Sequence, residues 1–165
     1  MHPKPDPVEP GHESVWDYPR PPRLEPVTST LSVHHQGTKI AETNAGYRVL
    51  ETSHPPVYYF PPGDCDLNVL ELVGGSTFCE FKGSARYFNL KLPHQPQVDN
   101  VAWCYPTTDG VFGPIAGYLA FYARLLDQCR VGDMVAKPQE GAFYGGWITP
   151  DLAGPFKGGP GTMGW

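Results

Sequence analysis

Two short segments of this chain combine residue types able to do chemistry. In Cys79-Glu80-Phe81-Lys82 a carboxylate and an ammonium stand two residues apart, which on a strand puts them on one face with Cys79 and Phe81 on the other. In a crevice such a pair can act as acid and base, with Glu80 moving a proton and Lys82 steadying an anion. On the wet side of a sheet it is an ordinary ion pair. Glu51-Thr52-Ser53-His54 brings a carboxylate, hydroxyls and an imidazole together. Neighbours on an extended chain point to opposite sides, so this is no preassembled triad, but Glu51 and Ser53 can face one pocket. The competing reading makes Ser53-His54-Pro55-Pro56 a turn after a strand.

Other candidates are binding groups. Arg20 and Arg23 lie three residues apart on a Pro-rich segment, on one side of a polyproline helix, where both can clamp an anion. Alternatively the segment is a rigid arm docked through Trp16 and Tyr18. Tyr58, Tyr59, Trp103, Tyr105 and Trp147 can supply flat amphipathic walls to a crevice, although most aromatics of a small β domain are core. Cys65, Cys79, Cys104 and Cys129 include no C-x-x-C pair, so they read as reduced thiols and no metal site is expected.

These groups need a scaffold, and the composition limits its kind. Of 165 residues, 20 are Pro and 19 are Gly, which excludes a bundle of long helices. With 40% hydrophobic and 13% aromatic residues, a packed core is affordable. The net charge of −5 argues against a general nucleic-acid binder, because phosphate contacts need clustered Lys and Arg. No apolar run reaches the ~20 residues of a membrane span, and no secretory signal opens the sequence, so a cytoplasmic location is expected.

Along the chain, residues 1–13 read as a disordered or loosely attached arm, and 14–165 as one domain. Short β-rich runs alternate with turn residues. Leu31 to His35 should return through Gln36-Gly37 as a hairpin over Thr38 to Glu42. Tyr47 to Glu51, Val57 to Phe60, Leu67 to Val73, Phe78 to Phe81, Ala85 to Leu92 and Val98 to Tyr105 follow, with Val101, Trp103 and Tyr105 on one face. Residues 115–126 fit the chain's best helix or an aromatic strand, and periodicity does not decide. The Gly- and Pro-rich tail from Lys137 carries Phe143, Tyr144, Trp147, Phe156 and Trp165, and is expected to lie on the domain as an ordered strap. The fold class is therefore mainly β, packed antiparallel sheets with long ordered loops and at most one short helix.

Several motifs in order give the chain a family likeness. They are Glu13 to Glu25 (ESVWDYPRPPRLE), Gly46 to Tyr59 (GYRVLETSHPPVYY), Cys79 to Gly83 (CEFKG), Trp103 to Pro106 (WCYP), Ala120 to Tyr122 (AFY), Phe143 to Thr149 (FYGGWIT) and Gly154 to Gly158 (GPFKG). Over residues 13–165 the chain resembles the DUF427 family of uncharacterised domains. The resemblance implies a compact, mainly antiparallel, β-tent-like domain and no established activity. β-tent relatives often carry zinc on paired C-x-x-C knuckles, which this chain lacks, so no zinc is carried over. Some family members bear a nucleotidyltransferase label. The polymerase-β-like version needs two carboxylates one residue apart, shortly after a Gly-Ser turn. After Gly75-Ser76 the window Arg86 to Leu90 holds no carboxylate, and Asp64-Cys65-Asp66 precedes the turn.

Two functions follow as expectations. The first is binding of a small polar or anionic ligand in an aromatic crevice, with no cofactor and no nucleic-acid or membrane partner, a homodimer being left open. The second is a metal-independent hydrolase or transferase with Glu80 as acid/base and Lys82 or an Arg stabilising an anion.

Overall fold

The computed structural model describes residues 2–79 and 81–165. The strands are β1 (Glu13–Ser14), β2 (Arg23–Pro26), β3 (Leu31–His35), β4 (Thr38–Thr43), β5 (Tyr47–Leu50), β6 (Val57–Tyr59), β7 (Leu70–Leu72) and β8 (Thr77–Cys79). They continue with β9 (Gly83–Leu90), β10 (Val98–Cys104), β11 (Leu119–Phe121), β12 (Gln128–Val131), β13 (Met134–Val135), β14 (Lys137–Pro138), β15 (Trp147–Ile148) and β16 (Leu152–Ala153). Among the described residues there is no α-helix, only four short 3-10 turns. The architecture is mainly β, in several antiparallel sheets.

Three sheets form the body. The middle one has the order β11-β10-β9-β7, with β8 added on β9. On one face lies β13-β12-β3-β4; Leu31, Val33 and Ile40 from it pack with Leu90, Ala102, Leu119 and Phe121 of the middle sheet in the larger core. The third sheet, β2-β5-β6, joins the edge strand β11 through the Phe60–Leu119 bridge, and its Val49 and Tyr59 pack with Ala85, Trp103, Ala120 and Tyr122 in the smaller core. The middle sheet is thus covered on both sides, and successive residues of β11 alternate between the two cores.

That burial settles residues 115–126. Leu119–Phe121 is a strand, and the 3-10 turns Gly110–Ile115 and Ala123–Leu125 flank it. Helix propensity loses because every residue of the strand has a core to enter, while Gly117 at φ +78° breaks the chain's approach. The β3–β4 hairpin forms through Gln36 (φ +49°) and Gly37 (φ +73°), the two left-handed positions a tight hairpin turn requires. In β10, pairing with β9 shifts between Val98 and Ala102, where Asn100 has φ +52°. Val101 therefore packs in the larger core, whereas Trp103 and Tyr105 pack together in the smaller one, so the shared face expected for all three holds only for the last two.

Both chain ends lie against this body. The Asp6 amide donates to the Gly154 carbonyl (2.8 Å), and β1 pairs in parallel with β16. In the tail, β14 pairs with β15, and Trp147 is fully buried, its indole N–H donating to the Phe121 carbonyl (2.9 Å). No helix among the described residues is long and apolar enough to cross a membrane.

Candidate functional site

Where β5, β6 and the middle sheet meet under the tail, they enclose a cavity of about 380 Å³. Its floor is aromatic. Trp103 lies against Tyr122 at 4.5 Å between ring centres, and Tyr59 meets Trp103 edge-on. Alternation along β6 turns Tyr59 to this side, leaving Tyr58 in the larger core 5.2 Å from Trp147. Tyr58 and Trp147 thus do not line the cavity as expected: adjacent strand residues cannot share a face, and Trp147 is buried against Tyr58 in the larger core. Burial raises the phenols of Tyr59 and Tyr105, and pushes Tyr122 up to about 12, so all three stay neutral hydrogen-bonding groups at pH 7.

One wall is built by the turn after β5. Ser53 takes φ +70° and the His54 amide donates back to the Glu51 carbonyl (3.0 Å). This reversal carries the imidazole over the carboxylate, with Nε2 3.8 Å from Glu51 Oε2. It also turns Ser53 inward, fully buried and outside the cavity, contrary to the extended-chain expectation that Glu51 and Ser53 share it. Arg20 Nε stands 3.4 Å from Glu51 Oε2, and its NH2 donates to the Thr52 carbonyl (3.0 Å), so it braces Glu51 from behind. Arg23 belongs to β2, opposite Leu50, and pairs with Glu25 at 3.3 Å. Residues 20 and 21 lie in a bend and Arg23 opens β2, so the polyproline helix expected to put both arginines on one side does not form and they make no common clamp.

The tail completes this wall. Gln139, nearly fully buried, accepts from the Gly146 amide at Oε1 (3.1 Å) and donates from Nε2 to the Lys157 carbonyl (2.8 Å) and to His54 Nδ1 (3.3 Å). An amide nitrogen can only donate, so His54 Nδ1 is an acceptor and the ring proton sits on Nε2, toward Glu51. Burial lowers the imidazole pKa to about 4, with Glu51 opposing the shift and Lys157, Arg20 and Lys82 adding to it. At neutral pH His54 is therefore uncharged. Gly145 lies directly on the Trp103 ring, where any side chain would collide.

The opposite wall comes from β8 and the turn after it. Strand pairing ends at Cys79, and Phe81 and Lys82 occupy a turn before β9, so strand alternation no longer separates them: Cys79, Phe81 and Lys82 all line the cavity. Lys82 Nζ stands 5.6 Å from the Tyr105 ring centre and 5.2 Å from that of Phe112. Glu80, assigned the acid/base role from the sequence, lies outside the described residues. All four cysteines are free thiols.

Of the residues singled out from the sequence, Glu51, Tyr59, Lys82, Trp103 and Tyr105 meet at the cavity and Arg20 supports it. His54, singled out only as the imidazole of the Glu51 to His54 segment, joins them, and Tyr122, Gln139, Tyr144 and Lys157 do so unforeseen. The His54 contribution had a local signal, its position three residues after Glu51 across a Pro-bounded turn. Gln139 had none, since nothing near it in sequence marks a site, whereas Lys157 stands in the Gly154 to Gly158 (GPFKG) motif, which carried the family likeness but no site role. Asp64 and Asp66 line a separate hollow beside Lys39 and Glu42, and among the described residues no group of three His, Cys, Asp or Glu could hold a metal ion.

A family model described as a domain of unknown function, DUF427, matches residues 23–132. The chain belongs to this family. No curated protein matches it. The DUF427 match contains Glu51, His54, Lys82, Trp103 and Tyr122, and ends before Gln139, Tyr144 and Lys157, so the tail's share of one wall comes from chain beyond the matched region.

Proposed function

We propose that this DUF427 domain binds a small organic anion, its flat body on Trp103 and Tyr122 and its acid group between Lys82 and Lys157. One observation carries the reading. In a chain of net charge −5, two ammonium groups line the same ring-walled cavity, and no Asp or Glu side chain among the described residues forms an ion pair with either. Lys157 Nζ donates only to the Trp165 main-chain oxygen (3.2 Å), and Lys82 rests on aromatic faces. A ligand anion would gain charge-assisted hydrogen bonds in a site where aromatic walls limit water. Glu51, braced by Arg20, offers an acceptor to a hydroxyl or amine on the same ligand, and Tyr59 and Tyr105 offer phenols.

The test is a thermal-shift and tryptophan-fluorescence screen of benzoate, nucleoside monophosphates, sugar phosphates and neutral sugars. Acids with a flat body are expected to raise Tm by several degrees at saturation and to quench Trp103. Replacing both Lys82 and Lys157 by Met should abolish the shift. Failure of every acid to bind, or equal binding by the double variant, overturns the reading.

A second reading, metal-independent acid–base chemistry, is favoured by the Glu51–His54–Gln139 chain, which fixes one imidazole tautomer beside a carboxylate. In it Glu80 or Glu51 moves the proton and Lys82 steadies the anion. Turnover of small esters or phosphomonoesters, lost in Glu80→Gln or Glu51→Gln with affinity retained, would establish it. Binding without turnover of any of them would dismiss it.

A further inference from the structure

Large apolar side chains scattered singly over a surface are ordinary, whereas several gathered at one opening are not. Phe78 is 77% exposed, Phe143 78% and Phe81 41%, and all three line the cavity of Glu51, Lys82 and Trp103. They come from opposite rims: Phe78 from β8 and Phe81 from the turn behind it, Phe143 from the tail between β14 and β15. Contact among rings continues inward from the tail side. Phe143 meets Tyr144 edge-on at 5.5 Å, and Tyr144 meets His54 edge-on at 5.4 Å. An apolar path thus runs from solvent to the polar wall. The cavity, about 380 Å³, is near the lower end of the ~300–1,000 Å³ usual for ligand pockets, so anything much longer than a substituted ring must emerge through this mouth.

We propose that the ligand is an amphipathic acid whose apolar extension leaves the cavity between Phe78 and Phe81 on one rim and Phe143 on the other. The proposal rests on the anion-binding reading and adds the ligand's second part, a chain or ring beyond the acid-bearing body. The lysines select the head and the phenylalanines cover the extension, which would otherwise stay in water.

The experiment measures Kd by tryptophan fluorescence for benzoate and its 4-alkyl derivatives from methyl to hexyl, with the full chain and with the Phe78→Ser/Phe143→Ser double variant. Both positions are exposed, so the variant should fold, and an unchanged Tm without ligand verifies it. In the wild type, affinity should rise roughly two-fold per methylene, less than the about four-fold of complete burial because a chain in an open mouth is half covered. In the double variant the dependence on alkyl length, measured from that variant's own benzoate Kd, should flatten. Equal Kd across the series, or an equally steep series in the double variant, overturns the proposal while leaving anion binding in place. No binding by any member, benzoate included, overturns both.

Discussion

Gln139 holds His54 from behind: its side-chain nitrogen donates to Nδ1 over 3.3 Å, while its oxygen accepts from the Gly146 amide. The contact joins the tail to the turn after β5 and dictates which imidazole nitrogen carries the proton. Gln139→Ala should leave the Gly146 amide, the Lys157 carbonyl and His54 Nδ1 without their partner. We expect a loss of about 2–4 kcal/mol in urea unfolding, and an imidazole no longer restricted to the Nε2-protonated form in 15N NMR.

The neutral His54 makes stability depend on pH. Its folded pKa, about 4, lies below the ~6.5 of an unfolded chain, so between these values the unfolded state binds the proton first. The stabilisation is complete above about pH 6.5 and disappears as pH falls toward 4, by up to about 3 kcal/mol. Urea melts from pH 7 to pH 4.5 should show a steeper decline for the wild type than for His54→Gln. Parallel declines would contradict this.

Gly146 has no room for a side chain, since a Cβ there would meet Gln139 Oε1 and the Pro55 carbonyl oxygen, each at 2.6 Å. Gly146→Ala should cost about 2 kcal/mol or more and weaken ligand binding by displacing Gln139. Gly63→Ala, with nothing within 4 Å of the added carbon, should change Tm little. Thermal melts of the two variants side by side provide the check.

Arg48 ties β1 and β2 to β5. Its guanidinium reaches Glu13 at 2.6 Å and Glu25 at 2.8 Å, and the Tyr18 hydroxyl donates to Glu13 (2.8 Å). Burial alone would raise the Glu13 pKa, but the bonds from Arg48 and Tyr18 outweigh it and the net shift is downward. Stability from Glu13 is therefore present above the ordinary carboxylate range and disappears as pH falls through the lowered value. Arg48→Met should cost about 1–3 kcal/mol at pH 7, the partly exposed carboxylates moderating the loss, and less at pH 3, as measured by urea melts.

Much of the fold could be read locally. Period-two alternation and turn residues gave the β3–β4 hairpin and put Tyr59, Trp103 and Tyr105 among ring-bearing wall candidates, and the CEFKG segment marked Lys82. Alternation also carried the answer for Tyr58, since two neighbours on β6 cannot both face one hollow. Local patterning failed where the chain stops being extended. A left-handed Ser53 buries that hydroxyl and folds His54 over Glu51; residue order offered the turn at Ser53 to Pro56 as one of two readings but not the left-handed geometry that closes it.

The tail's place on the domain was legible from its aromatics, but which of its residues reach the cavity was not. Gln139, Tyr144 and Lys157 reach the cavity because Trp147 is buried beside Phe60 and Phe121 and draws its flanking segments over the floor. Strand type and turn chemistry depend on neighbours a few residues apart, and so are written in the amino-acid order. The meeting of Glu51 with Gln139 depends on which distant surfaces exclude water together, and that is settled only when the three sheets and the tail pack.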